Sequence, residues 1–424
     1  MRIKRSQRMT KWLPVILLAT CLTAAAQEPM PGASVASLLD YARTHNPEYA
    51  AMRFEAEAAG ERVQPAGALP DPTLRVELMD VTNSGQEAGP NLLPSRVGST
   101  KYTVIQPLPF WGKRDLKRDV ASAEAESARL AASATWVDLA SRVKSAYAEY
   151  YRTTANVKLT REVLDLTARI AQVAQTRYAS GLVPQQDVLR AQVEQSAMAS
   201  DLIAMETEQH HVHSRINGLL RRPDGAPLAE PVQLRPVPAL SGISALQQRL
   251  AEKNPQLAAQ EMKVAAAEKS RELVLRNRYP DFALGLAPTQ VRRGVSEWGV
   301  MLELNIPLQQ DSRRSQEREA QAMISAAQSR RDALQTQLLS ELSLNLAALD
   351  AARRTEVLAR NSLGPQSEIN YKAALVGYEN GKVDFATLLE AQRQIRRSRL
   401  EELKARVEAQ LRLADIERLI GEDL

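Results

Sequence analysis

Alternation between apolar and polar positions with a period of two residues marks two short segments, at residues 74–79 and 99–106. This period predicts β-strands, because successive side chains of a strand point to opposite faces. The same alternation returns at residues 282–287 and 300–306. The sequence therefore predicts two strand hairpins, separated by a long helical region.

A helical pattern begins after Gly112 and continues to about Tyr178. Its apolar positions recur every seven residues, which is typical of a coiled-coil seam. A continuous helix of about 60 residues would be roughly 90–100 Å long. The seam positions are Trp136, Val143, Tyr150, Val157, Leu164, Ala171 and Tyr178.

The second hairpin has an equivalent long helix, which we expect at residues 312–378. Gly364-Pro365 should interrupt it, because proline disrupts a helix interior. The remaining predicted helices are the return helices at 184–220 and 385–419, and helices of about 30 residues before the strands, at 37–63 and 244–275.

The chain is built from two copies of one unit. Residues 178–183 read Tyr-Ala-Ser-Gly-Leu-Val, and residues 378–383 read Tyr-Glu-Asn-Gly-Lys-Val, 200 positions later. Upstream landmarks repeat in the same order, which chance does not explain. The repeated landmarks are Asn46-Pro47 with Asn254-Pro255, Pro70-Asp71 with Pro280-Asp281, Pro107-Leu108 with Pro307-Leu308, and Leu189, Ala191 and Gln192 with Leu389, Ala391 and Gln392.

The duplication predicts the domain organisation. We expect a first structural repeat at 33–221 and a second at 241–420. Residues 222–240 contain five prolines and are predicted to form a connector rather than a helix. The fold class is therefore mainly α with a small β part, each copy having one strand hairpin and one long helical hairpin.

Two environments are compatible with the strands alone: a soluble hairpin with one buried face, or strands of a membrane β-barrel with apolar residues outward. The very long helices favour the second. Four strands cannot close a barrel, and open edges in lipid leave backbone groups unpaired. Three subunits would supply about twelve strands, within the range of outer-membrane barrels. We therefore expect a homotrimer.

The formal charge of +5 could suggest a nucleic-acid partner, but five bases and no acid lie in the first 26 residues. Those residues have a basic start, a short apolar run and Ala24-Ala25-Ala26, which predicts a cleaved export signal. Its removal leaves a net charge of +5 − 5 = 0, so no nucleic-acid partner is expected. Cys21, the single cysteine, excludes a disulfide within the chain; it either leaves with the signal or carries a lipid.

The paired Tyr-x-x-Gly segments, the Asn-Pro of each first helix and residues 106–114, Gln-Pro-Leu-Pro-Phe-Trp-Gly-Lys-Arg, resemble the TolC family of outer-membrane efflux proteins. Residues 106–114 are most similar to the heavy-metal branch, the CzcC- and CusC-like components. The resemblance implies a homotrimer with a twelve-stranded barrel in outer-membrane lipid and an α-helical barrel in the periplasm of a Gram-negative bacterium. It also implies a periplasmic adaptor, an inner-membrane RND-type pump, no cofactor and no enzymatic activity.

The resemblance also carries site residues to this chain. In the two Tyr-x-x-Gly segments the glycines are predicted to make sharp turns. These turns would form the periplasmic tip that docks the adaptor, through Gly181, Leu182, Val183, Gly381, Lys382 and Val383. Asp187 and Tyr378 match a contact of the closed pore, and Glu390 matches one position of an acidic ring. Thr387 replaces the other acid of that ring, which weakens the match. Turn geometry alone, or a solvated helix face, would explain the same residues.

Three of the four histidines, His210, His211 and His213, lie together on a return helix. Imidazole can hold a soft divalent metal, but such a cluster on a polar helix is more often solvated. The leading hypothesis is a passive efflux duct, with heavy-metal cations as the expected substrate. The alternatives are a multidrug or type I secretion duct of the same fold, and a periplasmic coiled-coil adaptor or scaffold.

Overall fold

The computed structural model describes residues 30–81, 92–94, 97–240, 242–291 and 294–424. The predicted export signal and Cys21 lie outside these residues, as do residues 82–91, 95 and 96 between the first two predicted strands. The elements of the first copy are α1 (Val35–His45), α2 (Pro47–Glu61), α3 (Val63–Gly67), β1 (Thr73–Met79), β2 (Ser99–Leu108), α4 (Lys113–Ala179) and α5 (Gln185–Leu219). Those of the second are α6 (Ile243–Lys253), α7 (Pro255–Arg276), β3 (Asp281–Val291), β4 (Gly294–Asn305), α8 (Gln310–Leu358), a π-helical segment (Ala359–Leu363), α9 (Gly364–Glu379) and α10 (Phe385–Ile420).

The expected single helices at 37–63 and 244–275 are wrong, because each is broken at its Asn-Pro pair. Asn46 ends α1, and its side chain accepts hydrogen bonds from the first amides of α2 at 2.9 and 3.1 Å. Asn254 caps α7 in the same way. Each asparagine amide also donates to the end of the return helix of its own copy, at Leu219 O and Leu419 O. The repeated Asn-Pro is thus a helix start anchored to a second helix.

The long helices confirm the prediction closely. Helix α4 has 67 residues, which corresponds to about 100 Å. Its counterpart in the second copy is α8, the π-helical segment and α9 in sequence, and the predicted interruption lies directly before Gly364-Pro365. The extra residue of a π turn removes the requirement for the hydrogen bond that proline cannot donate.

The predicted seam is confirmed only in its middle. Val143, Tyr150 and Val157 are buried, whereas Tyr178 is exposed at the end of α4. A straight α-helix has 3.6 residues per turn, so a strict seven-residue repeat rotates by about 20° per heptad. Over five heptads the buried side therefore moves to other positions, such as Ile170 and Ala174.

The four strands form one antiparallel sheet in the order β1-β2-β3-β4. Strand β2 of the first copy pairs with β3 of the second, so the sheet joins the two copies. Among the described strands, β1 and β4 each pair with a single neighbour. The sheet lies at the start of α4 and α8, and the turns after α4 and α9 lie at their far ends.

Three apolar clusters stabilise the helices. Two are equivalent: in each copy the short first helix packs on the long helix and the return helix near the connector. The connector at 222–240 has no helix in its described residues. It is fixed by Tyr147, whose hydroxyl donates to Gln233 O, and by Arg235, which makes two 3.0 Å bonds to buried Glu417. The third cluster, the tip cluster, includes residues of both copies. No helix in the described part of the chain has the length and apolarity needed to cross a membrane.

Candidate functional site

The two turns at the far ends of the long helices have the same backbone. Gly181 has φ of 71° and Gly381 has φ of 70°, a left-handed conformation that favours glycine. In each turn the glycine amide donates to the carbonyl three residues earlier, and the next amide donates to the carbonyl five residues earlier. These two bonds define a Schellman helix end. The prediction of sharp glycine turns is confirmed in both copies.

The tyrosines that precede the turns differ. Tyr178 is 44% exposed, whereas Tyr378 is 2% exposed within the tip cluster. The Tyr378 ring makes an edge-to-face contact with Phe385, the first residue of α10, at a centroid distance of 5.6 Å. From the first copy, the Arg177 guanidinium lies 5.3 Å from the centroid of the same ring. Tyr378 is therefore held between residues of both copies.

Asp187 lies within electrostatic range of Tyr378. The buried Tyr378 hydroxyl has no hydrogen-bond partner among the described residues, so the two side chains are close but not bonded. Burial raises the pKa of Tyr378, and the negative charge of Asp187 raises it further. Burial also raises the pKa of Asp187, the charge of Arg190 opposes that rise, and Asp384 adds to it. The helical tip therefore contains a buried tyrosine hydroxyl without a hydrogen-bond partner among the described residues, and a carboxylate whose charge acts on it.

The sheet at the other end has one apolar face, and that face is exposed. The register aligns Leu286 with Val300, Leu284 with Leu302 and Phe282 with Leu304. Val300 is 83% exposed, and Leu284, Leu302 and Leu304 are also largely exposed. A contiguous exposed apolar face is typical of an interaction or membrane surface. The opposite face has polar and small residues, including Arg75, Lys101, Thr103, Gly285, Gly299 and Glu303.

A duplicated sheet-and-helix architecture can be compared with known proteins. The family model described as "Outer membrane efflux protein" matches residues 38–220 and again residues 246–422. The chain belongs to this family. The two matched ranges correspond to the two copies, and the family and fold are those of channel proteins.

A curated relative of this efflux protein is the cobalt-zinc-cadmium resistance protein CzcC of Cupriavidus metallidurans. It is 22% identical over 388 residues, covering 90% of this chain and 88% of the relative. Among solved structures, CusC has a TM-score of 0.78 at 18% identity, covering 92% of each chain. The outer-membrane channel OprN has a TM-score of 0.77 at 20% identity, covering 91% of this chain and 89% of that one. VceC of Vibrio cholerae has 0.76 at 16% identity, covering 92% and 96%.

Four of the six predicted docking residues of the efflux protein are exposed at the two turns, namely Gly181, Leu182, Gly381 and Lys382. Leu182 is exposed, although it is a large apolar residue, and its counterpart Lys382 is exposed as well. Val183 and Val383 are half-buried, and Val383 packs closely on Gly377. The two turns therefore present different chemistry, one apolar and one cationic, on the same backbone.

Glu390 is on an exposed face of α10, where its carboxylate is 3.5 Å from Arg397. Both side chains are mostly exposed, so this ion pair contributes little to stability. The structure thus brings Asp187 and Tyr378 together and leaves Glu390 on the surface of the subunit.

The three clustered histidines have different surroundings. His213 is half-buried beside the ring of Tyr150, and burial lowers its pKa, with the charge of His210 adding to the effect. His210 and His211 are exposed, with ring centroids 6.4 Å apart. Within the described ranges, no group of three or more His, Cys, Asp or Glu side chains is arranged to hold a metal ion.

Sequence reasoning missed Arg177 and Phe385, which enclose Tyr378. The sequence did contain a signal for Phe385, because the return helix of the second copy starts with this large aromatic residue where the first copy has Gln185. Arg177 had none, because its contact depends on how the two copies pack together at the tip.

Proposed function

We propose that three copies of this efflux protein form a duct through which substrates leave the cell across the outer membrane. The observation that carries this proposal is the exposed apolar face of a sheet whose outer strands, β1 and β4, each have one neighbour among the described strands, attached to helices about 100 Å long. Strands that close into a ring satisfy their backbone groups, which lipid requires. The helices would then continue the duct into the periplasm.

A pair of adjacent β4 residues can test the orientation of the sheet. Leu302 is on the exposed apolar face, and Glu303 is on the opposite face. Leu302→Lys should abolish assembly in the outer membrane, because a lysine in the lipid-facing midplane costs about 2–4 kcal/mol per subunit. Glu303→Lys is the control and should assemble normally. If both variants assemble equally well, the face is not lipid-exposed and the duct proposal fails.

Heavy-metal cations are the proposed substrate. The support is sequence similarity to CzcC, whose name assigns resistance to cobalt, zinc and cadmium. The fold does not discriminate between substrates, since CusC and OprN have nearly equal TM-scores. Growth of a deletion strain in cobalt, zinc and cadmium salts and in a drug panel would test the substrate. Sensitivity to metals that the intact gene reverses would support it, whereas sensitivity to drugs alone would support a multidrug duct instead.

The tip residues have proposed roles in docking and gating. Gly181 to Val183 and Gly381 to Val383 would contact a periplasmic adaptor, which would link the duct to an RND-type inner-membrane pump. Asp187 and Tyr378 would hold the pore closed, and three Glu390 carboxylates would surround its axis. Support for the gate comes from the burial of Tyr378 between Arg177 of the first copy and Phe385 of the second, within electrostatic range of Asp187. Increased passive uptake of a large antibiotic by Asp187→Ala cells, at unchanged protein levels, would be the expected result; unchanged uptake would remove the gate role.

A further inference from the structure

A cavity lies between the sheet and the start of α4. Its volume is about 480 Å³, within the range of about 300–1,000 Å³ that is usual for ligand pockets. Phe282, Leu284 and Leu302 line it from the sheet. Trp111, in the link from β2 to α4, and Arg114, on the first turn of α4, line it as well. The cavity therefore has an apolar end on the sheet and a cationic end on the helix.

The apolar end is part of the exposed apolar face of the sheet. Leu284 and Leu302 are partners in the strand register, and they are 48% and 60% exposed. Phe282 lies two residues nearer the start of β3, on the same face of that strand. A ligand in the cavity would therefore extend directly onto the surface that faces lipid in the proposed duct.

Contacts between aromatic rings fix the wall of the cavity. Phe110 stacks on Tyr279 with a centroid distance of 4.6 Å and an interplanar angle of 7°. The Trp111 ring lies 5.4 Å from the ring of Phe110 and 5.8 Å from that of Phe282. Trp111 is nevertheless 75% exposed. An indole that is held in place but exposed suits the boundary between lipid and water.

The two basic residues at the start of α4 have different partners. Lys113 is buried, and its ammonium donates to Asp281 Oδ1 at 2.8 Å and to Tyr279 O at 3.1 Å. Arg114 donates from Nε to Gly67 O at 3.0 Å, and its two Nη groups make no hydrogen bond or ion pair with the residues that the structure describes. Arg114 is thus a cation that is anchored at one nitrogen and has two donor groups available to a ligand.

The second copy has the charge without the aromatic wall. Arg314 is the counterpart of Arg114, 200 positions later, at the start of α8. Where the first copy has Phe110-Trp111, the second has Gln310-Asp311. The Asp311 carboxylate lies 3.8 Å from the Arg314 guanidinium. The combination of an available guanidinium and an aromatic wall therefore belongs to the first copy.

We propose that the cavity binds one anionic phospholipid per subunit. The lipid phosphate accepts hydrogen bonds from the Arg114 guanidinium, whose planar donors match phosphate oxygens in pairs. One acyl chain lies along the apolar end of the cavity. Asp115, which also lines the cavity, is 3.5 Å from Arg118 and is paired with it, so the charge of Arg114 remains available to the phosphate.

This site rests on the proposed function, because it requires the sheet to lie in the membrane. The helices would then place the cavity at the periplasmic surface of that membrane, where the headgroups of the inner leaflet lie. Arg114 is at the end nearer water, and Leu302 is at the end nearer the hydrocarbon, which is the orientation of a phospholipid in its leaflet. A free phosphate ion would leave the apolar end unfilled, so the site is assigned to a lipid.

Native mass spectrometry of the delipidated full chain in detergent, titrated with dioleoyl phosphatidylglycerol, tests the site. Arg114→Gln retains an amide donor for Gly67 O and should weaken binding about fivefold, the contribution of one base near an anionic membrane surface. Arg314→Gln is the matched control and should bind like the unaltered chain. Trp111→Ala changes an exposed residue, so it should leave folding intact and also weaken binding. Phosphatidylcholine should bind more weakly than phosphatidylglycerol.

The outcomes separate this inference from the proposed function. Equal affinity of Arg114→Gln and Arg314→Gln for phosphatidylglycerol would overturn the inference, as would equal affinity of the unaltered chain for phosphatidylcholine. Complete displacement of the lipid by an equal concentration of inorganic phosphate would indicate a site for free anions and would also overturn it. Each of these results, in a detergent-solubilised trimer, leaves the duct intact. A chain that is monomeric and soluble without detergent would overturn both proposals.

Discussion

The two tip turns have one backbone and two different side-chain environments. Both glycines have φ near 70°, and both turns make the same pair of backbone hydrogen bonds. Yet the tyrosine before the first turn is exposed, and the tyrosine before the second is buried among residues of both copies. The duplicated motif therefore specifies a chain reversal, while the role of each tyrosine depends on its neighbours.

The difference has a physical origin in the helices that follow the turns. Helix α10 begins with Phe385, whose ring covers Tyr378, and Asp384 caps that helix by accepting from the Thr387 amide at 3.0 Å. Helix α5 begins after Pro184, without a side-chain cap. The second turn is thus packed around its tyrosine and followed by a capped helix, whereas the first has an exposed tyrosine and is followed by a helix without a side-chain cap.

The largest expected difference between the turns is in the loss of stability when each tyrosine is replaced by alanine. Tyr378→Ala should destabilise the tip by about 3–5 kcal/mol, the usual range for truncating a buried aromatic residue. Tyr178→Ala should cost less than about 1 kcal/mol, as for exposed substitutions. Hydrogen exchange of the amides of α9 and the first turns of α10, measured by mass spectrometry, reports this loss of local stability. Equal exchange in the two variants would contradict the asymmetry.

Replacement of either glycine should cost the same stability, which tests whether the two turns have equivalent backbones. Gly181→Ala and Gly381→Ala should each cost about 1–2 kcal/mol, because both place an L-residue in the left-handed region. Steric contacts add no difference: the nearest atom to an added Cβ at Gly381 is Arg177 Nη2 at 3.6 Å, an ordinary contact. Thermal unfolding of the two variants, side by side, should give the same shift. A clearly larger effect at one glycine would show that the backbones are not equivalent.

The sequence was sufficient to predict those elements whose apolar residues recur with a clear period, or whose motif occurs in both copies. The strands were predictable because alternation persists on both hairpins, and the turns because glycine recurs in the same setting 200 positions later. The interruption near Pro365 was predictable from the missing amide donor. In each case the signal lies in residues close together in the chain.

Features that depend on distant residues were not predictable. The break at Asn46 was missed because an Asn-Pro pair can either cap a new helix or lie in a kinked one, and the choice rests on the bond to Leu219 O. The burial of Tyr378 depends on Arg177, 201 positions earlier, and on Phe385. For the candidate site, the resemblance thus singled out Tyr378, but the residues that enclose it could not be predicted.

The helix caps should differ by a smaller amount. Asp384→Ala removes the side-chain bond to the Thr387 amide and should destabilise the start of α10 by about 1 kcal/mol. Pro184→Ala removes no such bond and should leave the start of α5 nearly unchanged. Exchange rates of the first amides of α5 and α10 measure both effects. Restoration by Asp384→Asn, which can also cap, would distinguish a capping role from a purely electrostatic one.

The smallest expected effect concerns the charge beside the enclosed tyrosine. Asp187→Asn removes a negative charge that raises the pKa of Tyr378, so that pKa should fall, yet stay above the ordinary tyrosine value because burial is the larger cause. The Asp187 carboxyl itself has a raised pKa, so its protonated form is favoured in the folded tip. Its stabilising contribution is present below the unfolded pKa and is lost as pH rises through the folded pKa. Asp187→Asn should therefore remove this pH dependence and not weaken the tip at neutral pH.

Tyrosine labelled with 13C at the ring carbon that bears the hydroxyl would allow this titration to be followed by NMR, with Tyr378→Phe identifying the signal. Glu390→Gln, which removes a charge from the exposed face of α10, is the control and should leave the Tyr378 titration unchanged. An unchanged or raised pKa of Tyr378 in Asp187→Asn would contradict this account, because the charge of a carboxylate and any hydrogen bond that it accepts from the hydroxyl both stabilise the protonated tyrosine.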